Sequence, residues 1–243
     1  MTPAITLYRL LLRLLHPEHR LVRRFIGETL ADAGTRLPVV DIGAGRAPHR
    51  AALRQARPGA PQFIVDLAPA PEVGLVADGA CLPLADDAAG AVTLFQVLQH
   101  VENPAGVLAE IRRVLAAEGL LVITYPSMLP QGRSRDLWRW TRAGAERLLA
   151  DAGFIVVRHQ PLGGFFFLMT ANAAALPGRL LIRHAAGWHS GRRAGDYLRV
   201  GLALLLAAPW HLLGYPAQAL DRLLPEGGYQ IGGMLLARRS DHG

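Results

Sequence analysis

Val39-Val40-Asp41-Ile42-Gly43-Ala44-Gly45-Arg46-Ala47-Pro48-His49-Arg50 decides how the rest of the chain is read. The apolar run from Leu37 to Ile42 reads as a buried parallel strand with an acid near its end, and Gly43 and Gly45 then turn the chain into a helix over about 47–55. Glycine suits such a turn because a Cβ would hold the backbone away from a ligand lying across the strand end. A dinucleotide fingerprint would place a third glycine three residues after Gly45, where Pro48 stands. The stretch therefore argues against a pyrophosphate held on the following helix. It favours a nucleoside-type ligand that needs the tight turn and an acidic strand end.

Strands and helices alternate downstream. Gln62 to Asp66 reads as a second strand, and Asp66 follows Asp41 at close to the ~20-residue offset at which open parallel sheets place a ribose-binding acid. Gly74 to Asp78 reads as a short third strand ending in another acid, and Ala91 to Phe95 as a continuous apolar fourth leading into Gln96-Val97-Leu98-Gln99-His100. Asn103-Pro104 starts a helix whose face is Val107, Leu108, Ile111 and Val114 and which Gly119 is expected to end. Leu120 to Tyr125 is the fifth strand, Arg142 to Ala152 a helix capped by Thr141, Phe154 to His159 the sixth strand and Tyr229 to Ala237 the seventh. The pattern predicts an α/β fold around a doubly wound seven-stranded sheet, mostly parallel with an antiparallel last strand. Ligands in such sheets bind outside the carboxyl ends of the strands, where Asp41, Asp66, Asp78 and Gln96 converge.

The chain has 243 residues, 51% of them apolar, and a formal charge of +7 carried entirely by arginine, which fits composition bias as much as function. The basic excess admits anionic partners, but no basic stretch is interleaved with aromatics, so nucleic acid is not expected. One cysteine, Cys81, excludes a disulfide framework and a cysteine-rich metal site; no metal is expected, and a reducing cytoplasm fits. Arg9 and Arg13 interrupt the first apolar run and no small-residue cleavage site follows, so no signal peptide is expected.

Read in order, Asp41-Ile42-Gly43-Ala44-Gly45, then Asp66, then Ala77-Asp78-Gly79-Ala80 with Leu82-Pro83-Leu84, then Gln96-Val97-Leu98-Gln99-His100-Val101, then Arg112-Arg113-Val114-Leu115 with Glu118-Gly119, resemble class I S-adenosylmethionine-dependent methyltransferases, whose fold is Rossmann-like. The resemblance covers roughly 37–161. Asp-x-Trp-Arg-Trp-Thr at 136–141, with Asp151-Ala152-Gly153-Phe154, is similar to a bacterial subgroup that has a D-Y-W-R-F-T-like stretch and is associated with glycan or lipid modification. Two departures stand out: Ala47 takes the third glycine place of G-x-G-x-G, and Gln131-Gly132-Arg133 stands where the subgroup tends to have a histidine.

The resemblance implies S-adenosylmethionine as cofactor. Gly43, Ala44 and Gly45 would lie against the methionine moiety, Asp66 at the ribose, Asp78, Gly79 and Ala80 around the adenine, and Gln96 and Val97 at the sulfonium and methionine amine, with Asp41 and Leu67 among the cofactor-binding residues. Carboxylates accept from hydroxyls and an exocyclic amine, and glycines admit backbone contact. Transfer to a hydroxyl would want a general base, for which His100 is the candidate; packing or capping of the next helix is its other use. No Asn-Pro-Pro-Tyr-like turn follows the fourth strand, which disfavours exocyclic amines of bases or glutamine as acceptors and leaves a small molecule, a glycan or a lipid. Trp138 and Trp140 could stack on a sugar or an isoprenoid, or pack in the core. A nicotinamide-dependent oxidoreductase is opposed by Pro48, and a non-catalytic membrane-associated binding protein retaining the fold is the other alternative.

Outside the expected domain (35–162 and 228–240) lie two further parts. Residues 1–34 read as helices, Ile5–Leu15 and then Pro17 to about Ala33 with Val22, Phe25, Ile26 and Leu30 on one face, either capping the domain or lying on a membrane. Residues 163–227 read as a helical insertion, an acceptor-side cap whose apolar stretch over 200–213 is short of the ~20 residues that span a bilayer. Its leucines exceed what one face of a surface helix needs. They either pack on Ile5–Leu15 or give weak membrane association, with Arg192, Arg193 and Arg199 meeting anionic headgroups on the inner face of the membrane.

Overall fold

The computed structural model describes residues 18–31, 36–131, 135–183, 193–223 and 229–240. The expected helix Ile5–Leu15 lies outside them, as do Gln131's neighbours 132–134 and Arg192. The described chain forms two compact units: Val22–Leu162 with the segment from Gly232 onward, and 163–231 with the described residues before Val22.

The first unit is a single seven-stranded sheet in the order β3-β2-β1-β4-β5-β7-β6. Its elements are helix α1 (Glu18–Leu30, shared with the other unit at its first turn), β1 (Val39–Ile42), α2 (Arg50–Ala56), β2 (Gln62–Asp66), β3 (Leu75–Val76), β4 (Ala89–Phe95), α3 (Pro104–Val114), β5 (Leu115–Pro126), α4 (Arg142–Asp151), β6 (Phe154–Leu162) and β7 (Gly232–Arg239). β1 pairs in parallel with both β2 and β4, β4 with β5, and β2 with β3. β7 runs antiparallel between β5 and β6. The chain therefore reverses its winding at β1 and β4, and the turns that leave these two neighbouring strands carry the expected ligand residues. Val40, Ile42, Val92, Leu94, Leu121 and Ile123 form the middle of the buried apolar core, with Leu108 and Ile111 of α3 packed among them.

Several element boundaries differ from expectation, each for a local reason. The helix after the glycine turn starts at Arg50 rather than Ala47, because Ala47 takes a left-handed φ of 45° that no helix can contain. α3 gives way to β5 at Leu115, not at Gly119: Leu115 is fully buried and pairs with Ala89 before the main register resumes at Ala91 and Leu120. Gly119 serves a close approach instead, since a Cβ there would lie 2.6 Å from the Leu115 side chain. The third strand shrinks to Leu75–Val76, leaving Asp78 beyond it. β6 runs on to Leu162, and β7 starts at Gly232, where a Cβ would strike the Tyr125 carbonyl oxygen at 2.2 Å.

In the second unit the insertion is a pair of long helices, α5 (Phe165–Arg183) and α6 (Arg193–Asp221), packed on each other. Pro209 and Pro216 lie inside α6 without ending it. The Asp221 carboxylate closes the pair by accepting from the amides of Gly164, Phe166 and Phe167 at 2.9, 2.8 and 3.1 Å, which satisfies the free N–H groups at the start of α5.

Candidate functional site

The turn after β1 is built from three left-handed residues, Gly43 (φ 66°), Gly45 (φ 53°) and Ala47 (φ 45°). Ala47, at the third place of G-x-G-x-G, holds a left-handed conformation that glycine adopts freely. Two of the three positions are decided by different physics. A Cβ on Gly43 would lie 2.7 and 2.8 Å from the two methyl carbons of Val97, so close packing of the β1 and β4 turns requires glycine there. On Gly45 a Cβ would meet nothing nearer than the Asp66 carboxylate at 4.0 Å, and that glycine answers to φ alone.

Asp66 ends β2 beside this turn. Its Oδ2 accepts from the Gly45 amide at 2.8 Å and its Oδ1 from the Ala68 amide at 3.1 Å. Each oxygen keeps a second lone pair, and the carboxylate is held in place before any ligand arrives. Leu67 beside it is 72% exposed. Asp78 caps its own turn through Ala80, whose amide donates to Oδ1 at 2.9 Å, and bridges to Cys81. Gly79 packs its backbone on β1: a Cβ would lie 3.1 Å from Ile42 Cγ2. The loop that carries 78–80 is clamped from α3. Glu110 accepts from the Leu82 amide at 2.7 Å, while Arg113 donates to the carbonyls of Leu82 and Leu84 and pairs with Glu110 and Asp86. Hydrogen bonding from Arg113 holds the Glu110 carboxyl below its ordinary range.

Asp41 is placed differently from the other acids. It is 1% exposed, beneath the turn, and its Oδ1 accepts from the Thr93 hydroxyl of β4 at 2.7 Å while Oδ2 is left without a partner. Burial pushes its carboxyl up to about 7, against the Thr93 hydrogen bond, which acts downward. At the exit of β4, Gln96 adopts a φ of 57° and its amide donates to Thr124 Oγ1 at 2.9 Å. A non-glycine residue in this region costs on the order of 1–3 kcal/mol. The strained turn brings the Gln96 side-chain oxygen within 3.2 Å of Gln99 Nε2, leaving Gln96 Nε2 and Gln99 Oε1 buried and unpaired. The two amides together offer one donor and one acceptor.

His100 is exposed at the end of a 3-10 turn over Leu98–His100. Its Nδ1 contacts the Arg135 carbonyl oxygen. A carbonyl can only accept, so Nδ1 carries the proton, and in the neutral ring Nε2 is left as a lone-pair acceptor. Two further bonds lash the same segments together: the Leu137 amide to the Gln99 carbonyl at 2.7 Å and Trp138 Nε1 to the Val101 carbonyl at 2.8 Å. The rest of the 136–141 stretch is a clasp. Arg139 pairs with Asp136 and donates to the carbonyls of Leu129 and Pro130, and the Trp140 amide donates to the Pro126 carbonyl. Trp138 and Trp140 stack with ring centroids 6.4 Å apart, and Trp138 and Leu137 are exposed beside His100's segment. Thr93, Gln99, Glu110 and Arg113 have no standing in the strand-end pattern; only contact across the fold reveals their parts.

Residues 40–123 match the family model described as a methyltransferase domain. No curated relative matches the sequence. Solved structures that share the fold include the 4+2 cyclase SpnF (21% identity, TM-score 0.56, covering 91% of this chain and 80% of that one). Another is the Burkholderia thailandensis 1,6-didemethyltoxoflavin-N1-methyltransferase with S-adenosylhomocysteine (17% identity, TM-score 0.53, covering 93% and 78%). A third is the geranyl diphosphate C-methyltransferase of Streptomyces coelicolor (14% identity, TM-score 0.53, covering 90% and 77%).

Proposed function

Since residues 40–123 form a methyltransferase domain on the class I fold, we propose that the chain binds S-adenosylmethionine across the carboxyl ends of β1, β2 and β4 and methylates a small-molecule, glycan or lipid-linked acceptor. The observation that carries the reading is the Asp66 carboxylate, held 2.8 Å from the Gly45 amide at the turn where the sheet reverses its winding. The residues present fit that cofactor. Asp66 has free lone pairs for a ribose diol, flanked by exposed Leu67 for an apolar ring edge, and Asp78 with Gly79 and Ala80 suits an adenine and its amine. The unpaired donor and acceptor of Gln96 and Gln99 suit the carboxylate and ammonium of an amino acid, above the bare backbone of Gly43, Ala44 and Gly45 and beside Val97. Asp41, buried on Thr93, steadies the turn from below.

When bound, S-adenosylmethionine supplies a methyl group on a sulfonium, already an electrophile. The chain's own contribution is placement, for which orientation can supply an effective molarity of roughly 10⁵–10⁸ M. His100 adds a base: with Nδ1–H held on the Arg135 carbonyl, Nε2 takes the proton of an acceptor hydroxyl, an effect typically worth about 10²–10⁴ in rate. Exposed Leu137 and the Trp138–Trp140 stack offer an apolar, planar wall for a glycan or isoprenoid acceptor. Two of the enzymes that share the fold act on 1,6-didemethyltoxoflavin and on geranyl diphosphate by name, which keeps small-molecule acceptors in this class. A cytoplasmic enzyme working on the inner face of a membrane is the setting that a lipid-linked acceptor would require.

Calorimetry with S-adenosylmethionine, S-adenosylhomocysteine and NAD tests the reading. Both sulfur nucleosides bind and NAD does not; tighter binding of NAD overturns it. Asp66→Ala weakens cofactor binding by about 1.5–3 kcal/mol, the range for hydrogen bonds to a charged group, with the fold retained. Wild-type affinity in the folded variant removes Asp66 from the ribose.

A further inference from the structure

Beyond Phe167 and Leu168, which are buried near the start of α5, the described side chains of the α5–α6 pair are arranged with small residues inside and large apolar ones outside. Along α6 the positions turned inward are Ala203, Ala207, His211, Gly214 and Ala217, spaced three or four apart, and Ala203 and Ala207 are fully buried. The positions turned outward carry the large apolar side chains: Leu205 is 71% exposed, Leu212 59%, and Leu206, Trp210 and Leu213 are exposed beside them. On α5, Ala174 is fully buried while Met169 and Leu176 are exposed. A helix in water does the reverse, placing its largest apolar residues against the partner and polar ones outside. Small residues between helices and large apolar residues outside is the arrangement of helices whose solvent is hydrocarbon.

The polar groups of the pair agree. Thr170 donates its hydroxyl to the Phe167 carbonyl at 2.9 Å and Asn172 its amide to the Leu168 carbonyl at 2.9 Å, so each turns one donor back onto its own helix. Over residues 163–223 the sequence has six arginines and two acids, a balance of +4, and one of those acids, Asp221, is spent on the amides at the start of α5. Arg199 is exposed on the same helix as the outward leucines. Among the described residues no helix is long and apolar enough to cross a membrane.

We propose that the α5–α6 pair is a monotopic anchor that lodges in the acyl layer of one anionic leaflet through Leu205, Leu206, Trp210, Leu212 and Leu213. The exposed Arg199 and Arg222 lie in the headgroups. The anchor rests on this unit's surface alone and stands or falls separately from methyl transfer.

The full-length protein is mixed with vesicles of phosphatidylcholine alone or with added phosphatidylglycerol, at low and high salt, and floated. The protein floats with anionic vesicles, salt weakens the binding, and brominated acyl chains quench its fluorescence; Trp210→Phe loses that quenching. Replacing Leu205, Leu206 and Leu212 together by serine lowers vesicle binding at least ~tenfold, as expected for withdrawing three leucines from hydrocarbon, while calorimetric cofactor binding and thermal unfolding stay as in the wild type. Three outcomes overturn the anchor. Flotation without acyl quenching makes the contact purely electrostatic. A dimer in sedimentation that the serine variant abolishes makes the leucines a self-association face. A monomer that never floats assigns them to cover from within the chain.

Discussion

The sheet unit and the helical unit draw on the same apolar-rich composition and spend it in opposite ways. Along β5, Leu120 to Tyr125 are at most 4% exposed, and the core they join is made of Leu, Ile and Val, with alanine a minor filler. Along α6 the buried stripe is alanine and glycine, and the leucines are outside. Burial of large side chains against other protein is what stabilises the first unit, at roughly 25 cal/mol per Å². In the second, close approach of two backbones and the Asp221 clasp hold the pair, and its large side chains are left for another medium. Hydrophobicity on its own therefore does not say what a segment is dissolved in; the size of the residues at the contact does.

The largest effect that follows falls in the sheet. Ile123 is 1% exposed in the centre of β5, and Ile123→Ala removes three buried carbons with no room for the neighbours to collapse. Its cost is about 2–5 kcal/mol of unfolding free energy. Urea unfolding of wild type and variant reads it. A loss under ~0.5 kcal/mol, the size typical of a surface site, would mean that the sheet is no better packed than the outer face of α6 and would end the contrast.

The second effect sharpens the contrast from the polar side, because the sheet unit pays for its dry interior at Asp41. Burial raises this carboxyl to about 7 from an ordinary 3.8, so the folded state binds the proton more tightly than the unfolded one. Its contribution is therefore most favourable below the unfolded value and is lost as pH rises through 7, after which it is constant. Burial pushes Glu18 in the same direction, whereas Glu28 and Glu110, lowered chiefly by their arginine partners, act oppositely at lower pH. The difference between Asp41→Asn and wild type isolates the one group. The variant gains on the order of 3–4 kcal/mol relative to wild type between pH 4 and pH 8, read as a widening gap in thermal midpoint. A gap that does not change with pH would show Asp41 ionised throughout, and hence a wetter turn than the structure gives.

The placement of the strand-end acids was legible because a parallel sheet brings the carboxyl ends of its strands to one edge, and the apolar runs with Asp41, Asp66 and Asp78 near their ends mark that edge. Legibility stopped where contact across the fold decides. Asp41 reads as one more strand-end acid, yet it is buried and accepts from Thr93 of the neighbouring β4, which the sequence does not announce. Gly119 reads as a helix stop, but the pairing of Leu115 with Ala89 ends α3 first. Arg139 in the Trp-Arg-Trp stretch pairs with Asp136 and donates to two carbonyls, contacts the sequence does not announce. The helical insertion shows the same limit in another form. The leucine surplus over 200–213 is legible, but which residues face inward becomes visible only when α5 lies against α6.

The smallest effect is the most pointed, since it is close to zero in water. Leu205 is 71% exposed, with neither a cavity to leave nor a partner to lose. Leu205→Ser therefore changes the unfolding free energy of the protein in buffer by no more than ~0.5 kcal/mol, although the same replacement at Ile123 would be ruinous. The hydroxyl even gains water that the leucine could not use, so any change in solubility runs toward the variant. Urea unfolding in the absence of lipid settles the point. A loss of 2 kcal/mol or more, about that of a buried leucine, would mean that Leu205 is covered in solution. The outer face of α6 would then be a core like that of β5, and the two units would differ in shape alone.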